Sequence, residues 1–199
     1  MKKLLISAAA AAAVMIPAAA SAQAVPAAVV AVVDLEKVSG QCNACKTAAA
    51  ALRSQATALQ SRQQALAGPL QTEQKSIQAA IDALGGKDPD AALKSRATAF
   101  QTRYQQAQEE IARSEQQIQR NQAYINQQVR DKLGPIYQQV MQRRGANLMV
   151  EVGATLAAAS SIDVSSDVLT ALNAALPTIQ TTAPAAPAAT PARKQPQGR

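Results

Sequence analysis

The chain has no histidine and no tryptophan, and its only aromatic side chains are three tyrosines and one phenylalanine among 199 residues. Without imidazole, Ser-His-Asp and Cys-His catalytic arrangements and His-ligated metal sites are excluded. No glycine-rich phosphate loop is present, and the carboxylates are scattered, none forming a pair that the sequence places in a cleft. The chain therefore reads as a non-enzyme without a cofactor. The shortage of aromatics also removes stacking platforms for bases, which argues against a nucleic-acid partner. It limits the core as well. The Ala- and Gln-rich middle of the chain forms helix readily but buries little apolar area per residue, so oligomerisation is expected to supply part of the stability.

Long apolar runs are confined to the amino terminus. Met1-Lys2-Lys3 is a basic n-region, Leu4 to Pro17 an apolar stretch, and Ala20-Ser21-Ala22 a small-residue cleavage site. The stretch is too short to span a bilayer, which needs ~20 apolar residues, and no second run of that length follows. Residues 1–22 are read as a cleavable signal peptide, with cleavage after Ala24 as the alternative, leaving a soluble exported chain. One domain is the default for roughly 177 remaining residues.

The formal net charge is +7, and loss of Lys2 and Lys3 leaves +5. Most of it lies between Cys42 and Arg144, where 14 Lys/Arg face 8 Asp/Glu. A basic surface favours anionic partners such as lipid headgroups or acidic polypeptide segments, through steering more than tight fit. The same excess spread along a helix also describes an ordinary solvated face.

That basic middle segment is patterned as two long helices. Leu52, Ala56, Leu59, Leu66, Leu70, Ile77, Ile81 and Leu84 recur mostly at steps of three, four or seven. Leu93, Ala97, Phe100, Tyr104, Ala107, Ile111, Ile118, Ile125, Val129, Leu133, Ile136 and Val140 continue the pattern. This is a coiled-coil seam, interrupted by Gln63, Glu73 and Gln122, which suggests a flexible arm. The two helices meet at Gly85-Gly86-Lys87-Asp88-Pro89. Gly85 suits a left-handed C-cap, Asp88 an N-cap and Pro89 the first helical position. Gly68-Pro69 and Gly134-Pro135 lie inside the helices, and each should kink or interrupt its helix. The first sits opposite the neighbourhood of Gln106, the second opposite the start of the first helix.

Short β-patterned runs flank the arm, Val29 to Val33 before it and Asn147 to Val152 after it. A helical hairpin brings its ends together, so these runs can pair into a small sheet at its base. The segment Ala146 to Ala158 reads as one or two strands with a bulge or turn at Gly153, and Ser160 to Val164 as loop or edge strand. A short helix from Asp167 to Leu176 follows, capped by Ser165 or Ser166. The organisation is a mainly α chain with a β-rich body from residues 23–40 and 145–176, a helical arm over 41–144 turning at 85–89, and a Pro/Ala-rich tail over 177–199 expected to be disordered.

Cys42-Asn43-Ala44-Cys45 is the one reactive motif. It reads as a local disulfide, since residues three apart on a helix fall within bridging range, as a cross-link between subunits, or as a redox pair with a lowered thiol pKa at a helix start. A structural bridge, within or between subunits, is favoured, because the redox reading needs a thioredoxin-like βαβ context that a helical hairpin does not supply.

Val29-Val30-Ala31-Val32-Val33-Asp34-Leu35-Glu36-Lys37-Val38 resembles the opening strand of the Skp/OmpH family of periplasmic chaperones. Pro135-Ile136-Tyr137 resembles that family's late second-helix motif. Gly145 to Val150, and Ser161-Ile162-Asp163-Val164-Ser165-Ser166-Asp167-Val168-Leu169-Thr170-Ala171-Leu172-Asn173, resemble its C-terminal block. The resemblance implies a periplasmic homotrimer with a central β body and three projecting arms, holding unfolded outer-membrane β-barrel proteins without ATP. Arg62, Lys75, Lys87, Lys94, Arg96, Arg103 and Arg113 are then candidate client- or anion-contacting charges. Anionic lipid or lipopolysaccharide is a compatible partner, although no matching lipopolysaccharide motif is identifiable. The Cys pair and the long tail depart from the family pattern. A structural coiled coil of the envelope that holds no clients is the alternative reading.

Overall fold

The computed structural model describes residues 26–185; the export signal expected at 1–22 and residues 186–199 of the tail lie outside the described residues. Strand β1, Val30–Val33, is stopped by Asp34, whose carboxylate accepts the Lys37 N–H at 2.8 Å. This N-cap opens helix α1, Leu35–Gln41, with Glu36 favourably placed in its first turn. The opening-strand reading that ran on to Val38 is therefore corrected. Val38 is helical and turns into the core at 1% exposure.

Helix α2, Asn43–Asp82, and helix α3, Ala91–Arg144, form the antiparallel arm. Their 40 and 54 residues correspond to lengths of ~60 and ~80 Å. Between them Gly85 and Gly86 adopt φ of +56° and +90°, values that glycine reaches without Cβ strain. The N-cap of α3 is Asp90, not Asp88. Asp90 is extended and its carboxylate accepts the Leu93 N–H at 2.8 Å, which leaves Asp88 and Pro89 in the turn. At the far end Gly145, with φ +66°, closes α3. The Ala146 N–H reaches the Met141 carbonyl at 2.9 Å, and Arg143 and Arg144 sit at the negative end of the dipole.

Neither Gly-Pro pair interrupts its helix: α2 runs through Pro69 and α3 through Pro135. Each proline deletes a single donor, and the facing helix holds the turns on either side. The Thr72 hydroxyl additionally donates to the Gly68 carbonyl at 3.1 Å.

Strand β2, Leu148–Glu151, pairs with β1 in parallel, Val30 opposite Leu148 and Val33 opposite Glu151. A parallel pair needs a long crossover, and here the whole arm supplies it. On the other edge of β1, the Val164 N–H bonds the Val32 carbonyl at 2.9 Å. After β2 the chain forms 3-10 turns at Val152–Ala154 and Ser160–Ile162 rather than a second strand. Helix α4, Ser165–Ala175, starts two residues earlier than expected and has no side-chain cap. The Ser165 hydroxyl is committed elsewhere: it accepts the Asp34 N–H at 2.9 Å and donates to Asp163.

The core gathers where these elements meet. Ala31, Val33, Val38, Cys42, Ile136, Val140, Val164, Val168, Leu172 and Leu176 form one buried cluster. Beyond it the arm is thinly packed, with Ala48, Ile77, Ala107 and Ile125 its buried apolar residues. Among the described residues no helix is long and apolar enough to cross a membrane.

The expectation of a disordered tail fails for its first part. Residues 177–185 continue past α4 as an irregular segment with bends at Pro177 and Thr182, tied to the arm by side-chain amides of α2 and α3. A propensity reading misses this segment because it has no hydrophobic period; its order comes from partners far away in sequence.

Candidate functional site

Two helices alone cannot enclose large apolar side chains, so the seam stays open along the arm. Midway, Leu66, Leu70, Phe100, Tyr104, Ala107 and Ile111 line a groove of about 420 Å³, with Gln63, Gln71, Gln74 and Gln108 among its polar lining. Tyr104 is 44% exposed, and its ring lies 6.1 Å from that of Phe100. A second groove, about 520 Å³, lies nearer the body between Leu52, Ile125 and Val129, with Arg53, Arg130 and Cys45 among its walls. The mixture of apolar floor and glutamine rim suits many weak contacts rather than one shaped ligand.

The candidate arm charges divide into two groups. Arg62 on α2 grips Glu110 on α3 through both Nε and Nη2, at 2.6 and 3.1 Å. Arg103 and Arg96 on α3 converge on Glu73 of α2, and Arg96 also bonds the Ser76 hydroxyl at 2.9 Å. Arg113 pairs with Glu109 one turn away on its own helix, at 3.3 Å. Most of these arginines tie the two helices together. Lys75, Lys87 and Lys94 are exposed and make no ion pair among the described residues, but Asp82, Asp88 and Asp90 share that end, so the net positive charge of the arm lies in the half nearer the body, with Lys46, Arg53, Arg130, Lys132 and Arg143. The hydrogen bonds from Arg62, and then its charge, hold the Glu110 carboxyl below its ordinary range.

The polar interruptions of the seam also sort themselves. Glu73 is the shared acceptor above, and Gln63 reaches Glu115 across the arm at 3.3 Å. Gln122 bonds Asn126 on its own helix at 3.1 Å, and both line the groove nearer the body. The residue that enters the seam is Asn121, 3% exposed, which sequence reasoning missed. Its spacing was the available signal: three residues after Ile118 and four before Ile125.

At the base, Cys42 and Cys45 are joined as a disulfide within one chain. Cys42 also caps α2, its sulfur accepting the Cys45 N–H at 3.2 Å. The hairpin-turn residues and the Gly-Pro pairs bring no polar side chains together.

The family model described as outer membrane protein (OmpH-like) matches residues 29–172. No curated protein matches the chain. Among solved structures, a Caulobacter crescentus protein described as an outer membrane chaperone (OmpH-like) superimposes with a TM-score of 0.64 at 18% identity, covering 79% of this chain and 90% of that one. That identity speaks to the fold alone. The family match runs from β1 through most of α4, and this chain belongs to the OmpH-like family.

Proposed function

We propose that this protein is an ATP-independent periplasmic holdase, which binds unfolded outer-membrane β-barrel proteins between the arms of a homotrimer and keeps them from aggregating. The observation that carries the reading is the open arm. Phe100, Tyr104, Leu66 and Leu70 remain accessible in a glutamine-rimmed groove, and the arm's net positive charge lies on the body side of it. Such a surface holds an unfolded chain by many weak contacts, while the charge steers acidic segments or anionic lipid headgroups inward. Family membership and the OmpH-like neighbour's description support the reading.

The trimer is argued from what the single chain leaves uncovered. The outer edge of β2 has no strand partner among the described residues, and an unpaired edge is a template for a second chain. Leu148 beside it is 46% exposed and Leu156 fully exposed. The signal sequence directs the chain to the periplasm, and no catalytic step is required.

The test dilutes a urea-unfolded outer-membrane β-barrel protein with and without the mature chain, while light scattering gives the chaperone's mass. Suppressed aggregation at about one trimer per client supports the proposal. A trimer that leaves aggregation unchanged overturns it in favour of a structural envelope role.

A further inference from the structure

The segment after α4 packs Ile179 against the body core, and beyond it residues 180–183 are held to the arm through their backbone. The Gln128 carboxamide donates to the Gln180 carbonyl and accepts the Gln180 N–H, both at 2.9 Å. Asn121 Oδ1 accepts the Ala183 N–H at 2.8 Å. Gln55 donates to the Thr181 carbonyl at 3.3 Å, and Gln117 to the Ala183 carbonyl at 3.5 Å. These amides orient one another, because Asn121 donates to Gln55 at 2.8 Å and accepts from Gln117 at 2.7 Å. No side chain of residues 180–183 takes part.

Asn121 and Gln128 stand seven residues apart on α3, about 10.5 Å along the axis. The chain between the two N–H groups that they capture, Gln180 to Ala183, is irregular and bends at Thr182. Two helical turns therefore present amides that hold a non-helical segment at residues three apart. One donor beside this array is unused: Arg120 Nε is covered yet has no partner among the described residues, while its Nη2 bonds Gln117. The occupying segment lies beyond the residues that the family model matches.

We propose that Gln55, Gln117, Asn121 and Gln128 form a backbone-reading site for non-helical polypeptide of any sequence that keeps the two captured N–H groups. Residues 179–183 are its resident occupant, and an unfolded client segment displaces them. The second half of this statement rests on the holdase reading above. Tethering gives the resident segment a high effective concentration. Client affinity is then reduced in proportion to the fraction of sites that stand open.

The experiment measures the dissociation constant of a labelled, urea-unfolded outer-membrane β-barrel protein at fixed salt. The proteins are the mature full chain, a chain ending at Ile179 (which keeps the packing of Ile179), and a full-length Q180P/A183P variant that lacks both captured N–H groups. Release of the segment in either form is expected to tighten binding about three- to tenfold, the scale of one or two hydrogen bonds. Gln128→Ala in the shortened chain should weaken it by a similar factor. Unchanged affinity on release, or no loss with Gln128→Ala, overturns the inference while leaving the holdase intact. If no form binds client, the holdase reading has failed. The site is then judged by adding a synthetic peptide of residues 178–185 to the shortened chain: movement of the Asn121 and Gln128 side-chain amide resonances supports it, and their constancy overturns it.

Discussion

Arg62 and Glu110, 48 residues apart in sequence, form a two-point ion pair that ties α2 to α3 halfway along the arm. The pair has a pH signature. Glu110 is held below its ordinary value of 4.5, first by its hydrogen bonds to Arg62, and Asp163 lies below 3.8 because Ser165 bonds it from both hydroxyl and backbone. Both carboxylates favour the folded state, fully so above those ordinary values, and their contribution is lost as pH falls through the lower folded values. The urea midpoint should stay level from neutrality to about pH 5 and then fall. Carboxyl NMR titration of Arg62→Ala should return Glu110 toward its ordinary value.

Ser165 joins three elements, since its buried hydroxyl accepts the Asp34 N–H at the end of β1 and donates to Asp163 before α4. Ser165→Ala strips a partner from each, so unfolding free energy should drop by about 1–3 kcal/mol. Ser166, its exposed neighbour, makes no side-chain bond among the described residues, and Ser166→Ala should change stability by less than about 0.5 kcal/mol. Equal effects in urea titrations would dispose of the relay.

The hairpin was legible because its signals are local and redundant: a sustained apolar period and one glycine-rich turn. Helix α1 was not, although Asp34 with acidic Glu36 in the turn after it is a helix-start signature, because the valines before it and Val38 continue a β-like pattern. Asp88 and Asp90 compete for one cap, and only the backbone path decides between them. Gln128 and Gln55 were invisible for a different reason. On glutamine-rich helices one more amide carries no information until the chain that it binds, 52 to 126 residues later, lies against it.

Glycines on the arm should respond oppositely to alanine. Gly86 has φ +90°, and Gly86→Ala should cost about 1 kcal/mol through backbone strain alone, since nothing lies within 4 Å of the added methyl. Gly68 is helical with equally open surroundings, so Gly68→Ala should stabilise by about 0.5–1 kcal/mol. Calorimetry should place their melting temperatures on opposite sides of the parent. Loss of client holding in Gly68→Ala despite higher stability would give arm bending a role.

Leu172 and Leu156 separate folding from assembly. Leu172 is fully buried in the body, and Leu172→Ala should cost about 2–5 kcal/mol. Leu156 is fully exposed on the single chain, so Leu156→Ser should leave helical content unchanged while lowering the mass seen by light scattering. An unchanged mass would remove Leu156 from the subunit contact.

The Cys42–Cys45 bridge closes one turn at the start of α2, where Cys42 is 0% exposed and Cys45 borders the groove near the body. A loop of this size restricts the unfolded chain by about 2 kcal/mol on the chain-entropy account. Replacing both cysteines by serine removes that restriction but leaves a hydroxyl able to cap α2. The melting temperature should therefore fall by about 4–8 °C, with the arm and its grooves intact. Alkylation mass spectrometry should find no free thiol before reduction and two after it. Client holding should be the same in the parent and the double variant at temperatures where both are folded. Loss of activity in the variant under those conditions would instead make the thiols part of the chemistry, because neither the cap nor the fold would account for it.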